Sequence, residues 1–213
     1  MPDRFTFDDL VYPTDGSVLN GVGVSIGARE SVALFGPNGG GKTSVMRLIA
    51  GTVARAKPLA EVTYLPQTPY LFRGTVESNL TVGLDGAESS DARLLADDLE
   101  VGHLLSRPSG ELSGGEAQRI GLARTLASTA PLVLLDEPLA PINAAGRDHV
   151  AEIIRQRTAE RALLWATHSV EAVRAIAGRL VVIDEGAVLQ EGPVGEVLDS
   201  PADERVATIL GTI

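Results

Sequence analysis

The sequence predicts an α/β fold. It comprises a mainly parallel sheet between helices, an amino-terminal antiparallel β subdomain and a small helical subdomain inserted in the core. Three observations predict it. Short apolar runs alternate with helix-like segments, the stretch Phe5 to Ile26 reads instead as paired strands, and a polar, helix-rich stretch interrupts the alternation. The 213 residues suit one large domain or one core with an insert, and 44% hydrophobic residues are enough for a buried core.

Taken in order, Phe5 to Ile26 holds two strands joined by the turn-forming PTDGS, Pro13 to Ser17. The runs SVALF (Ser31–Phe35), PLVLLD (Pro131–Asp136), ALLWAT (Ala162–Thr167) and RLVVID (Arg179–Asp184) are continuous rather than alternating. Strands covered on both faces read that way. KTSVMRLIAG is helical and stops at Gly51. From Thr75 to Leu112 the chain is more polar and broken at GLDGAESSD and SRPSGE. This divides it into a core of residues 1–74 and 113–213 and a helical insert of residues 75–112. EAQRIGLARTLAS places Ile120, Ala123, Leu126 and Ala127 on one helix face. AAGRDHVAEIIRQRTAER follows Asn143, an N-cap residue. VVIDEGAVLQEG reads as a hairpin about Glu185-Gly186, and the tail from Glu196 as helical.

Composition narrows the function classes. The net charge is −10 and the pI about 4.8. An acidic surface repels phosphate backbones, so the expectation is no nucleic-acid partner. Without cysteine there is no disulfide framework and no thiolate metal site. The start, MPDRFTFDDL, has no secretory pattern, and no stretch approaches about 20 unbroken apolar residues, the length a membrane span needs.

The glycine-rich LFGPNGGGKTS carries the first chemistry. Gly36, Pro37, Asn38, Gly39, Gly40, Gly41, Lys42 and Thr43 fit G-x-x-x-x-G-K-[ST] between a strand and a helix, with Ser44 following. Glycines let the backbone curl against a ligand, and the amides form a nest for anionic oxygens at a helix N-terminus. Lys42 supplies a charge to the β- and γ-phosphates of a nucleoside triphosphate, and Thr43 a hydroxyl to Mg²⁺. The bland alternative is a glycine-rich turn with an incidental lysine. In PLVLLDEP an apolar strand ends at Asp136 and Glu137. Ligands gather at the carboxyl ends of such strands. Asp136 is placed to support Mg²⁺ through a water, and Glu137 to polarise an attacking water as general base. In isolation the pair also reads as a solvated strand end.

A third motif, ELSGGEAQRIGLAR, contains Ser113, Gly114, Gly115 and Glu116 at a helix start. It is either a simple N-cap or a second anion cradle. A second cradle suggests a phosphate held between two chains. With the other two motifs in this order, the sequence resembles the ATP-binding-cassette (ABC) ATPases, whose signature is LSGG followed by Glu or Gln ahead of the Asp-Glu strand.

The resemblance implies a phosphate-loop NTPase core that uses ATP and Mg²⁺. It makes Gln67, in YLPQTPYLF, the residue that senses Mg²⁺ and the attacking water and links core to insert. It places His168, in WATHS, on the γ-phosphate and Tyr12 under the adenine. The alternatives are a structural cap for His168 and packing in the amino-terminal sheet for Tyr12. The sequence departs from the family where Thr-Ser-Ala-Leu-Asp is usual, reading Leu139-Ala140-Pro141-Ile142-Asn143. That bears on coupling between two sites more than on the chemistry of either.

By the same resemblance the chain is the ATPase of a membrane transporter. It works with a second nucleotide-binding domain, a copy or a related chain, and with a separate integral membrane permease. It then sits in the cytoplasm, peripheral on the inner face of the cell membrane. Tyr70 and Phe72 are candidate permease contacts or packing residues of the insert. The alternative class is a soluble cassette ATPase driving assembly of a non-membrane partner. A phosphate-loop kinase leaves Ser113 to Glu116 unexplained.

Overall fold

The computed structural model describes residues 2–12, 19–53 and 57–212. β1 (Arg4–Tyr12) and β2 (Leu19–Gly27) pair antiparallel, Tyr12 opposite Leu19. The turn expected at Pro13 to Ser17 lies outside the described residues. Phe5, Phe7, Leu10 and Tyr12 point inward with Leu19, Val22, Val24 and Ile26; irregular pairing at Asp9 and Gly21, with φ of 51° and 70°, shifts the alternation by one residue along both strands. The inward face closes over α1 (Lys42–Ile49), burying Val45, Met46 and Ile49.

The main sheet has six strands. β3 (Ser31–Phe35), β4 (Val62–Leu65), β5 (Leu132–Asp136), β6 (Ala162–Thr167), β7 (Arg179–Asp184) and β8 (Ala187–Pro193) lie in the order β4-β5-β6-β3-β7-β8. All neighbours are parallel except β7 and β8. β5 and β6 are buried throughout, as their unbroken apolar runs require. The β7–β8 hairpin turns on Glu185 and Gly186, with φ of 49° and 72°, the left-handed pair of a type I′ turn.

Between β4 and β5 lie α2 (Val76–Thr81), α3 (Gly86–Asp98), two short 3-10 turns and α4 (Gly114–Ala127). Asp85 and Glu88 form a reciprocal cap on α3. α4 buries more than one face: Gln118, Leu122 and Thr125 are enclosed as well as Ile120, Ala123, Leu126 and Ala127. It lies between the sheet and α3, so its apolar stripe is wider than a surface helix needs. α5 (Ala144–Thr158), α6 (Val170–Ile176), α7 (Val194–Asp199) and α8 (Glu204–Leu210) complete the chain. Asn143 caps α5 by accepting from the Gly146 N–H. Among the described residues no helix is long and apolar enough to cross a membrane.

Because β3, β4, β5 and β6 run parallel, Gly36, Gln67, Glu137 and His168 all leave the same edge of the sheet.

Candidate functional site

The glycine loop between β3 and α1 is fixed by close backbone approach. A Cβ on Gly36 would lie 2.0 Å from the Ile183 carbonyl oxygen, a clash no side-chain movement relieves. Gly39 and Gly41 take φ of 84° and 109°, and Gly41 caps α1. The Gly40 N–H donates to the Pro37 carbonyl at 3.1 Å, and the Gly186 N–H to Gly40 at 3.2 Å, tying the loop to the β7–β8 hairpin. Pro37, Asn38 and Gly39 form its exposed crest, while Gly40, Gly41 and Ser44 are buried.

Lys42 is only 6% exposed, and its Nζ donates to the Gly36 and Pro37 carbonyls at 2.8 and 2.9 Å. Burial lowers the ammonium pKa, against Glu137, Asp136 and Asp184, which hold it up. Thr43 Oγ1 donates to Asp136 Oδ2 at 2.8 Å. Asp136 is buried, which raises its carboxyl pKa; the Thr43 hydrogen bond works the other way, Glu137 adds to the rise, and Lys42 and Arg47 oppose it. Its Oδ1 has no hydrogen-bond partner among the described residues.

Glu137 follows with φ of 49°, a left-handed backbone that costs about 1–3 kcal/mol in a non-glycine residue. Its N–H donates to the Ala166 carbonyl at 3.0 Å. Its side chain is 7% exposed, with Oε1 2.8 Å from Nδ1 of the exposed His168.

Lys42, Thr43, Ser44, Gln67, Asp136 and Glu137 line one cavity of about 420 Å³ with Asn38, Gly39 and Gly41. Gln67 reaches it as an exposed side chain just past β4. His168 lines a neighbouring cavity of about 240 Å³, with Glu137 in the shared wall. Two sequence candidates lie elsewhere. Tyr12 is 9% exposed inside the core formed by β1, β2 and α1, which is the packing alternative. The Ser113–Glu116 turn lines neither cavity.

That turn is closed on itself. Ser113 caps α4, and its N–H and hydroxyl meet Glu116 Oε2 at 2.7 and 2.6 Å, while the Glu116 N–H reaches Ser113 Oγ at 3.3 Å. The Ser113 hydroxyl and amide hold the Glu116 carboxyl pKa below its usual range. A Cβ on Gly115 would lie 3.1 Å from the Pro141 carbonyl oxygen. The divergent loop of residues 139–143 thus packs directly on the turn, a contact linear spacing does not reveal.

A groove of about 600 Å³ lies beside the site, between Arg47, Tyr64, Tyr70, Phe72, Val82 and Arg124. Tyr70 and Phe72 are 67% and 51% exposed, their rings edge-to-face at 4.9 Å. The buried Asn79 amide clamps Phe72, accepting from its N–H at 2.6 Å and donating to its carbonyl at 2.9 Å. Sequence reasoning gives no role to Tyr64, because β4 is only VTYL and too short to stand out.

A glycine loop at a helix N-terminus, a buried lysine, and a threonine bonded to a strand-end aspartate define a phosphate-loop nucleotide-binding domain. Comparison with known proteins gives the family. A family model described as "ABC transporter" matches residues 19–140. The chain is 30% identical over 227 residues to the spermidine/putrescine import ATP-binding protein PotA of Ruegeria pomeroyi, covering 94% of this chain and 62% of that protein. It is 35% identical over 234 residues to a probable anion import ATP-binding protein of Haloferax volcanii, covering 90% and 81%. An ATP-bound bacterial Atm1-family ABC exporter superposes with a TM-score of 0.83 at 23% identity, over 99% of this chain and 41% of that one. That likeness concerns the fold. The chain belongs to the ABC transporter family. It spans less than two thirds of the PotA relative's length.

Proposed function

We propose that this chain binds ATP with Mg²⁺ and hydrolyses it to drive a separate integral membrane permease, as one of two nucleotide-binding domains that close face to face. One observation carries the reading. Lys42, Thr43, Asp136 and Glu137 converge on one cavity, while the Ser113 turn is exposed away from it. A single chain then supplies two different halves of a site. The second domain is a copy of this chain or a related one.

The residues fit the metal. A hydroxyl and a carboxylate on one cavity are hard oxygen donors, and Mg²⁺ is commonly held by one or two such groups plus substrate phosphates. Thr43 and Asp136 would hold it, with Gln67 at the edge. When bound, Mg²⁺ neutralises charge on the phosphate oxygens.

The remaining work falls to this chain's side chains. The loop amides of residues 36–44 and Lys42 bind the triphosphate. Glu137, in hydrogen-bond contact with His168, is the general base for the attacking water, and His168 orients it and approaches the γ-phosphate. Ser113, Gly114 and Gly115 complete the phosphate cage of the opposite domain once Glu116 releases the Ser113 amide. The core of residues 1–74 and 113–213 carries the chemistry, and the insert of residues 75–112 moves against it. The exposed Tyr70–Phe72 pair supports a permease contact, and a chain making it would sit peripherally on the cytoplasmic face of the membrane. The acidic charge of −10 supports no nucleic-acid role.

Affinity capture of the tagged chain from detergent extracts, with phosphate release measured on the captured complex, tests this. An integral membrane protein in a complex that releases phosphate from ATP is expected. Hydrolysis with only water-soluble partners overturns the transport reading, and a complex that binds no ATP overturns the whole.

A further inference from the structure

Tyr64 and Asp136 sit on neighbouring strands. β4 and β5 are parallel, with Tyr64 opposite Leu134 and Leu65 opposite Leu135. Alternation then puts Tyr64, Leu134 and Asp136 on the same face of the sheet, the face covered by α1. Each brings a buried polar atom that makes no well-formed hydrogen bond among the described residues: Tyr64 Oη, a donor, and Asp136 Oδ1, an acceptor. A buried polar atom left unpaired costs about 1–3 kcal/mol, so two complementary ones side by side call for an explanation.

The electrostatics agree with this placement. Burial first, and then the Asp136 carboxylate, push the Tyr64 phenol well above its ordinary pKa; a phenol is in any case a donor at neutral pH. Arg47, on α1, acts in the opposite direction on both groups, and both Arg47 and Asp136 are within side-chain hydrogen-bonding reach of Tyr64. Thr43 already fixes Asp136 Oδ2. Oδ1 is the oxygen left to rotate.

We infer that Tyr64 is a positioning residue for Asp136: its hydroxyl donates to Oδ1, and with Thr43 on Oδ2 it fixes the plane of the carboxylate that faces the metal. The phenol touches neither nucleotide nor metal and acts only through Asp136. The same ring forms part of the groove wall beside Tyr70 and Phe72. The inference rests on the nucleotide and Mg²⁺ reading above and adds a residue that reading does not use.

The test is Tyr64→Phe, which keeps the ring and removes only the hydroxyl. Binding of a fluorescent, non-hydrolysable ATP analogue is titrated against Mg²⁺, with thermal unfolding measured alongside. The Mg²⁺ concentration for half-saturation is expected to rise about three- to tenfold, the scale of one hydrogen bond. Binding without Mg²⁺ is expected to stay unchanged. In an Asp136→Asn background the same substitution should have no further effect, because the two act as a unit. A purely structural ring is retained by Phe and predicts no Mg²⁺ shift. An unchanged Mg²⁺ dependence, or an equal shift in the Asp136→Asn background, overturns the inference. Parent protein that binds the analogue without any response to Mg²⁺ overturns the metal reading itself.

Discussion

Two helix N-termini in this chain are built from small residues, and they are finished differently. At α1 the glycine loop is buried below its Pro37–Gly39 crest, tied to the β7–β8 hairpin and lined by the Lys42 ammonium and two carboxylates from β5 and its end. At α4 the Ser113 turn is exposed, and its hydroxyl and amide are taken by its own Glu116. The first is an assembled pocket, and the second is an anion cradle holding a local carboxylate. The difference teaches that dipole and glycine content alone do not make a site. What separates the two is whether the fold brings charged side chains from distant strands to the helix end.

The largest effect belongs at the shared wall of the two cavities. Glu137→Gln keeps shape and hydrogen-bonding reach toward His168 and removes the proposed base. Turnover should fall by about 10² or more, the usual scale for general base catalysis, with ATP affinity nearly intact. Phosphate release set against calorimetric titration checks both halves. Hydrolysis at the parent rate would move the chemistry out of this cavity and erase the contrast.

Next comes the assembled cradle. Lys42→Ala removes a buried cation that contacts two loop carbonyls. Charged hydrogen bonds are worth about 1.5–3 kcal/mol, so ATP affinity should drop about ten- to a hundredfold. Equal affinity by titration removes Lys42 from the phosphate site.

At the other cradle, Ser113→Arg should leave ATP affinity of the isolated chain unchanged and weaken ATP-dependent pairing. Overfilling a packed contact costs about 1–3 kcal/mol, so pairing should weaken about tenfold or more. Light scattering with ATP present measures it. Normal pairing would mean that the exposed turn does not face a second domain.

Much of this was legible in the sequence because its signals are local. The four continuous apolar runs became β3, β5, β6 and β7, and Glu185-Gly186 made the hairpin. The phosphate loop and Asp136-Glu137 read directly because strand, glycines and helix are contiguous. What escaped is non-local. β4 pairs with β5 across 66 intervening residues, and its four-residue run carries no periodicity of its own. The Tyr64–Asp136 proximity and the Gly115–Pro141 contact depend on that sheet order and on α4 docking. Tyr12 has the spacing of an adenine platform, but β1 turns its ring into the core: irregular pairing around Asp9, whose φ is 51°, shifts the alternation begun at Phe5 by one residue, so Leu10 and Tyr12 face inward.

The smallest effect concerns what the assembled pocket costs. Asp136 is buried with a carboxyl pKa raised chiefly by that burial, whereas the exposed Glu116 has its own lowered by Ser113. The two carboxylates therefore respond to pH in opposite senses. A raised native pKa means that folding favours the protonated form. The stability Asp136 allows is complete below its unfolded pKa, about 3.8, and is lost as pH climbs through the higher native value. At pH 7 without nucleotide or Mg²⁺, the ionised side chain opposes folding. Asp136→Asn keeps an acceptor for Thr43 and removes the charge. Its melting midpoint at pH 7 should exceed the parent's by about 2–4 °C for each kcal/mol that ionisation costs, and the gap should close below about pH 4. Saturating Mg²⁺ and ATP should invert the order, because only the ionised parent recovers that cost by binding. A lower midpoint for Asp136→Asn in metal-free buffer would show that Lys42 and Arg47 already satisfy the carboxylate. The buried pocket would then be as self-sufficient as the Ser113 turn, and the contrast between the two helix ends would reduce to one of exposure.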